Sequence, residues 1–235
     1  MKTKTQMVPD ETSAAATQTA ARLTITEIYL SVQGESTWVG QPCTFIRLTG
    51  CPLRCTYCDT EYAFYGGTRV ELAEVMARTA ELECPLVEVT GGEPLAQPNC
   101  IRLLQALIDA GYTVLLETSG AYSIEDVPRA VHKIVDLKCP SSGEMHRNLY
   151  ENMSLLSPHD EVKFVLGSRE DYDWAKEQVR QYGLPEKCRA VLFSCVFGKV
   201  EPAQLVEWMI EDKLFNVRFQ LQAHKFIWPP DAKGV

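Results

Sequence analysis

Three cysteines spaced by three and two residues, Cys51-Pro-Leu-Arg-Cys55-Thr-Tyr-Cys58, end an apolar run and constrain this chain more than any other stretch. A tight loop lets each thiol turn inward toward a soft metal. The number of ligands then matters. A structural zinc site is closed by four, whereas three cysteines on a cubane iron-sulfur cluster leave one iron without a protein ligand and open to chemistry. The spacing alone leaves both uses open, since Cys43, Cys84 or His132 could complete a zinc site after folding. The nine cysteines could also serve as small buried hydrophobes.

The rest of the chain bounds the setting. With 235 residues, 46% of them hydrophobic, one sizeable α/β core is expected. A formal net charge of −8 provides no basic field for nucleic acid, which points to a small substrate. No apolar run reaches the ~18 residues of a membrane span, and the N-terminus lacks a secretory hydrophobic region. An odd cysteine count without such a signal suggests a reducing cytoplasm, where thiolates remain free to bind iron. Residues 1–21 show no amphipathic period and read as a mobile tail, leaving 22–235 as one domain. Asp10 and Glu11 argue against a transit peptide.

From Leu23 to Val32 the pattern approximates strand alternation and ends at the Gln33-Gly34-Glu35-Ser36 turn, where a glycine permits close backbone approach. Thr44 to Thr49 reads as a buried strand leading through Gly50 into the cysteine loop. Arg47 within that strand needs an anion, either an internal carboxylate or a ligand's. Asp59 and Thr60 place hard oxygens beside the loop, suited to magnesium or to capping. A helix is expected over 69–82, with Leu72, Val75, Met76 and Thr79 on one face. Strand Leu86–Thr90 follows and runs into Gly91-Gly92-Glu93, at the edge where α/β barrels place their sites. Later units place a helix with Ile101, Leu104, Leu107 and Ile108 inward, a strand over 113–118, a short helix over 124–132, and strands over 134–138 and 162–166. A helix over 170–181, a strand over 190–193, an amphipathic helix over 201–213 and an extended 217–221 complete the pattern. Such alternation implies a parallel sheet with right-handed crossovers. About six units are too few to close an eight-stranded barrel, so an open, partial β/α barrel is expected.

The C-x3-C-x2-C loop, followed one helix and one strand later by Gly91-Gly92-Glu93, resembles the radical S-adenosylmethionine (SAM) superfamily. Within it, Gln33-Gly34-Glu35, Cys58-Asp59-Thr60, the TGGEPL run from Thr90, Lys138-Cys139-Pro140 and the stretch from Gln222 to Pro229 resemble the 7-carboxy-7-deazaguanine synthase family, in order, over Leu23 to Val235. The resemblance implies ring contraction of 6-carboxy-5,6,7,8-tetrahydropterin to 7-carboxy-7-deazaguanine with loss of ammonia, on the route to queuosine. It also implies a 4Fe-4S cluster on Cys51, Cys55 and Cys58, SAM, and Mg2+ with an oxygen from Thr60. Arg47 would pair with the substrate carboxylate, while Val32, Gln33, Gly34 and Thr90 would hold the pterin edge. Gly92, Glu117 and Ser119 would lie at SAM. Cys139, Pro140 and Ser141 stand where some members carry a Ser-Pro-Lys segment that contacts SAM. Ser194, Cys195, Val196 and Phe197 depart from the Gln-Pro form seen elsewhere and would offer backbone to the adenosine. Pro230 matches a proline whose terminal carboxylate meets the pterin in shorter relatives; here the chain runs on to Val235. A homodimer and an electron donor such as flavodoxin are further expectations of the likeness. Two alternatives share the cysteine loop: a radical SAM activase of a glycyl-radical enzyme, and a structural metal-binding interaction protein.

Overall fold

The computed structural model describes residues 21–235 except Asp231, so the expected tail over 1–20 lies outside the described residues. Ala21 is already part of the core: it is buried, and its carbonyl accepts from Leu72 N at 2.8 Å. In chain order the strands and α-helices are β1 (Arg22–Val32), β2 (Pro42–Leu48), β3 (Thr68–Glu71), α1 (Leu72–Ala80), β4 (Leu86–Gly91), α2 (Cys100–Asp109), β5 (Thr113–Thr118), β6 (His132–Asp136), β7 (Glu161–Leu166), α3 (Arg169–Tyr182), α4 (Leu184–Lys187), β8 (Ala190–Cys195), α5 (Pro202–Glu211), β9 (Arg218–Gln220) and α6 (His224–Ile227).

One nine-stranded sheet runs β3-β1-β2-β4-β5-β6-β7-β8-β9 and does not close. Each neighbouring pair from β2 through β9 is parallel, whereas β1 is antiparallel to both β2 and β3. The open barrel expected from alternation is therefore present, extended at one edge by an antiparallel pair. Parallel strands covered by helices read as continuous apolar runs, and here Val87, Val89, Leu116, Val135, Val162, Phe164, Val191 and Phe193 form the core with Leu103, Leu104 and Leu107 of α2. Ser168 caps α3 by accepting from Asp171 N at 3.1 Å, and Gly183, at φ 57°, stops it in the left-handed conformation.

Three expectations from periodicity are corrected. The segment over 69–82 is not all helix: Thr68–Glu71 pairs with β1, because Val70 is a β-branched residue that completes the sheet edge, and only Leu72 begins the helix. No helix forms over 124–132. Pro128 lacks an N–H and steers Val127 away from helical backbone, so Asn152 supplies the missing partners, accepting from Ile124 N and donating to Tyr122 O. His132 consequently opens β6 and packs edge-on against Trp38 and His159. On α2, Leu103 is fully buried in place of Ile101 and Ile108, which are only partly covered.

Leu104→Ala removes a fully buried side chain beneath β4 and β5. It should lower the free energy of urea unfolding by about 2–5 kcal/mol.

Candidate active site

Every parallel strand ends at the same rim, and loops leaving that rim enclose a cavity of about 250 Å³. Cys51, Cys55 and Cys58 line it with Gly92, Gln33, Gly34, Arg47, Thr60, Thr90, Val32, Glu117, Ser119, Val196, Phe197 and Pro230. Residues far apart in sequence are thus brought to one opening.

The cysteine loop is fastened on two sides. Gly92 N donates to Leu48 O at 3.1 Å and Glu93 N to Gly50 O at 2.8 Å, joining the turn after β4 to the chain entering the loop. A Cβ on Gly92 would stand 2.4 Å from Gly50 O and 2.8 Å from the Cβ of Cys51, so only glycine allows that approach. On the other side, Thr56 N donates to Ser142 O, and Thr56 Oγ1 to Ser141 O at 2.7 Å. The Glu144 side chain accepts from Arg54 N at 2.7 Å. Burial pushes the Cys55 thiol up to about 11, with Lys138 opposing it, so loading a metal must displace the thiol protons.

The donor set discriminates between metals. Among the described residues, no three His, Cys, Asp or Glu side chains close on a single ion. Cys43 and Cys84 lie in a separate buried cluster with Phe45, Leu86, Leu115 and Ile134, and His132 stands at the start of β6, at the opposite end of the strand from the rim. The proposed fourth ligands for zinc are therefore remote from the loop. Three thiols at the cavity, too dispersed for one ion and without a fourth, fit a four-iron cube held at three corners.

Arg47 has found the internal carboxylate that its burial demanded. It sits directly across from Glu27 in the β1–β2 register, and its Nε donates to Glu27 Oε1 at 2.7 Å while Nη2 donates to Tyr29 at 3.0 Å. Tyr62 also donates to Glu27, at 2.8 Å. Thr60 Oγ1 donates to Asp59 at 3.0 Å, and Asp59 pairs with Lys225 at 2.6 Å. Burial alone would raise the Asp59 carboxyl, but Lys225 overrides it and holds it down at about 2. The closeness needed at Gly34 is to the chain itself, since a Cβ there would lie 2.4 Å from Nδ1 of His224.

A charged floor lies beneath these groups; Glu35 and Glu117 belong to motifs noted in the sequence, whereas Glu88, Asp136 and Lys163 were not expected from it. Lys163 Nζ bonds Glu117 and Glu35, the latter at 2.8 Å, and lies 4.0 Å from Asp136. Burial opposes the charge on Lys163, yet Glu117 and Glu35 hold its amine well above the usual range. At Glu35, likewise, burial would raise the carboxyl, but Lys163 and then His224 keep it below its ordinary range. Glu88, buried and accepting from Gln33 Nε2, goes the other way: desolvation, then the neighbouring Glu117, pushes it well above that range, so it keeps its proton to higher pH than an ordinary glutamate. The available signal was a charge inside an apolar strand, as at Arg47: Glu88 in β4, Asp136 in β6 and Lys163 in β7 each interrupt such a run.

Five expected residues do not line the cavity. Cys139 is fully buried, and Pro140 opens a single 3-10 turn. The Ser141 hydroxyl is taken by Asp171, which also accepts from Ser141 N and Gly167 N. Ser194 is buried with its hydroxyl unpartnered among the described residues, and Cys195 is half-buried. Glu93, buried beside Gly92, accepts from Thr118, from Ser119 N and Oγ, and from Leu95 N, clamping β5 to β4.

Comparison with known proteins agrees with this geometry. Residues 45–211 match the model of the radical SAM superfamily. The chain is 48% identical to a 7-carboxy-7-deazaguanine synthase of Koribacter versatilis, over 90% of this chain and 99% of the relative. It is also 48% identical to one of Chlorobaculum tepidum, over 92% and 99%. The crystal structure of QueE from Escherichia coli shares the fold, with a TM-score of 0.75 at 20% identity, covering 92% of this chain and 100% of that one. Streptococcus suis SuiB bound to S-adenosylmethionine gives a TM-score of 0.51 at 12% identity, over 73% of this chain and 44% of that one.

Two outcomes follow from the site. Gly92→Ala should displace the cysteine loop and lower the iron bound after anaerobic reconstitution, read as iron per chain and visible absorption. Because Glu88 stays protonated in the native state above its ordinary value of 4.5, the native protein binds more protons than the unfolded chain, and stability falls as pH rises beyond that value. Glu88→Gln should flatten this decline in urea-unfolding free energies measured across pH.

Proposed function

The chain belongs to the 7-carboxy-7-deazaguanine synthases of the radical SAM superfamily, and on that premise we propose that its cavity converts 6-carboxy-5,6,7,8-tetrahydropterin to 7-carboxy-7-deazaguanine with loss of ammonia. The observation that carries the reading is the meeting of a three-cysteine loop, a glycine-lined turn and a buried arginine at one rim. A 4Fe-4S cluster and SAM, when bound, would supply radical chemistry with one electron drawn from an external donor, and Mg2+ would supply a Lewis acid.

The chain's own residues then have separable tasks. Cys51, Cys55 and Cys58 hold the cluster, and Thr60 offers an oxygen to magnesium. Arg47 keeps its charge through Glu27 and Tyr29 while its remaining guanidinium face meets the substrate carboxylate. Gln33, fixed by Glu88, joins the backbone of Val32 and Gly34 and the side chain of Thr90 at the pterin edge. Gly92, Glu117 and Ser119 stand at SAM, with Val196 and Phe197 against the adenosine. Cys139, Pro140 and Ser141, like Ser194 and Cys195, act from behind this wall by shaping the turns that reach the cavity. Pro230 closes the mouth beside Gly234 and Val235. The working enzyme in this reading is a cytoplasmic homodimer served by a low-potential donor such as flavodoxin. No helix among the described residues is long and apolar enough to cross a membrane.

Anaerobic incubation of the reconstituted protein with the carboxylated tetrahydropterin, SAM, Mg2+ and a reductant should yield the deazapurine and ammonia; Cys55→Ala should yield neither. 5'-Deoxyadenosine without any purine product from the wild type would refute the reading. Arg47→Ala should raise KM for the pterin by about thirtyfold, the equivalent of ~2 kcal/mol for a lost charged hydrogen bond, with SAM binding unchanged.

A further inference from the structure

The loop joining β1 to β2 turns back into the open barrel. Val32 pairs with Pro42 at the end of the strands opposite the rim, so residues 33–41 leave from that end, yet Gln33, Gly34 and Glu35 line the cavity. In a closed eight-stranded barrel side chains from the strands fill the interior; a sheet that does not close needs another filling. Trp38 supplies it in the lower layer. It packs against the cluster of Phe45, Leu86, Leu115 and Ile134, with the His132 ring edge-on at 5.0 Å and the Arg189 guanidinium 5.6 Å from its ring centre. The loop is closed on itself by Gly40 N donating to Gln33 O and Gln33 N to Gln41 O, each at 2.8 Å. Strand β7 then grips it at two points. Glu161 and Lys163 stand two positions apart and share one face, about 6.6 Å apart along the strand, and they hold Thr37 and Glu35, also two positions apart. Glu161, 1% exposed, accepts from Thr37 N at 3.0 Å and from Thr37 Oγ1, and has no other hydrogen-bond partner among the described residues. Between the two grips, Ser36 N donates to Gln220 Oε1 at 2.7 Å. Thr37, Trp38 and Glu161 do not themselves line the cavity.

We propose that Thr37, Glu161 and Trp38 are positioning residues that set the height at which the Gln33-Gly34 turn meets the substrate, a role resting on the reading of that turn as the pterin-edge contact. They act from the end of the barrel remote from the cysteines and touch no ligand. A turn outside any helix or strand keeps the place its anchors give it, and a buried carboxyl holds its few donors because leaving it unsatisfied is costly. Gly34 is packed so closely on His224 that a shift at the base of the loop is not absorbed there. It passes to Gln33 and Gly34, where small misplacements weaken binding and misalign the reacting atoms.

Steady-state kinetics of the reconstituted full-length protein, with 5'-deoxyadenosine and deazapurine counted separately, test this. Thr37→Val, which keeps the side-chain shape but loses the hydroxyl donor, and Trp38→Leu should each raise KM for the pterin about tenfold and release severalfold more 5'-deoxyadenosine per deazapurine. Iron per chain, and SAM affinity followed by the electron paramagnetic resonance signal of the reduced cluster, should stay within about twofold of wild type. Thr37→Ser, which restores the hydroxyl, should recover most of the loss. Wild-type KM and product ratio in both variants would overturn the proposal. So would a parallel fall in iron, SAM affinity and pterin affinity, which would make the loop a general prop, or a Thr37→Ser variant as impaired as Thr37→Val. Absence of deazapurine from the wild type would instead sink the underlying reading.

Discussion

Two main-chain hydrogen bonds, Gly92 N to Leu48 O and Glu93 N to Gly50 O, hold the architecture of this site together. They tie the end of β4 to the chain leaving β2, so the turn that would face a cofactor and the loop that would grip a cluster form one rigid unit. Sterics enforce the union. At Gly91, φ is +151° and a Cβ would fall 2.2 Å from Leu48 O, so no L side chain fits there. Glu93 then extends the unit to β5 through buried hydrogen bonds, making the rims of three adjacent strands behave as one piece. Precision at a reacting centre depends on this kind of backing, because misplacement by a fraction of an ångström is costly there.

Electrostatics supply the second layer. A single buried ammonium, Lys163, is shared by Glu35 and Glu117 with Asp136 close by, while burial and the neighbouring Glu117 raise the pKa of Glu88 and so weaken its repulsion. Breaking such an arrangement at one member would leave uncompensated charge in low dielectric. The floor therefore holds unlike charges in mutual compensation along the cavity wall.

Much of this was legible in the chain. The strand–helix alternation announced an open parallel sheet, and the cysteine spacing with its glycine pair located the rim. Legibility failed where tertiary partners outvoted local pattern. Asn152, more than twenty residues away, satisfies the segment around Ile124 and removes any need for a helix. Thr68–Glu71 became strand because β1 offered a free edge. The acid–base floor is not legible in the chain because Glu88, Asp136 and Lys163 are isolated in sequence and acquire meaning only when strands are laid side by side. At Arg47 the same clue stands in the sequence, but its internal partner, Glu27, comes into view only when β1 and β2 are paired.

The C-terminal wall of the mouth has a consequence for biogenesis. Gln222 reaches Glu35 across 187 positions, Ala223 N donates to Gly34 O, and Lys225 grips Asp59. A nascent polypeptide would expose its thiol loop through most of translation before these bracing contacts could exist. Iron delivered early would meet a half-built vestibule, open to oxygen and to the wrong ion. Insertion after release, into a finished enclosure, is the order of assembly that this topology favours.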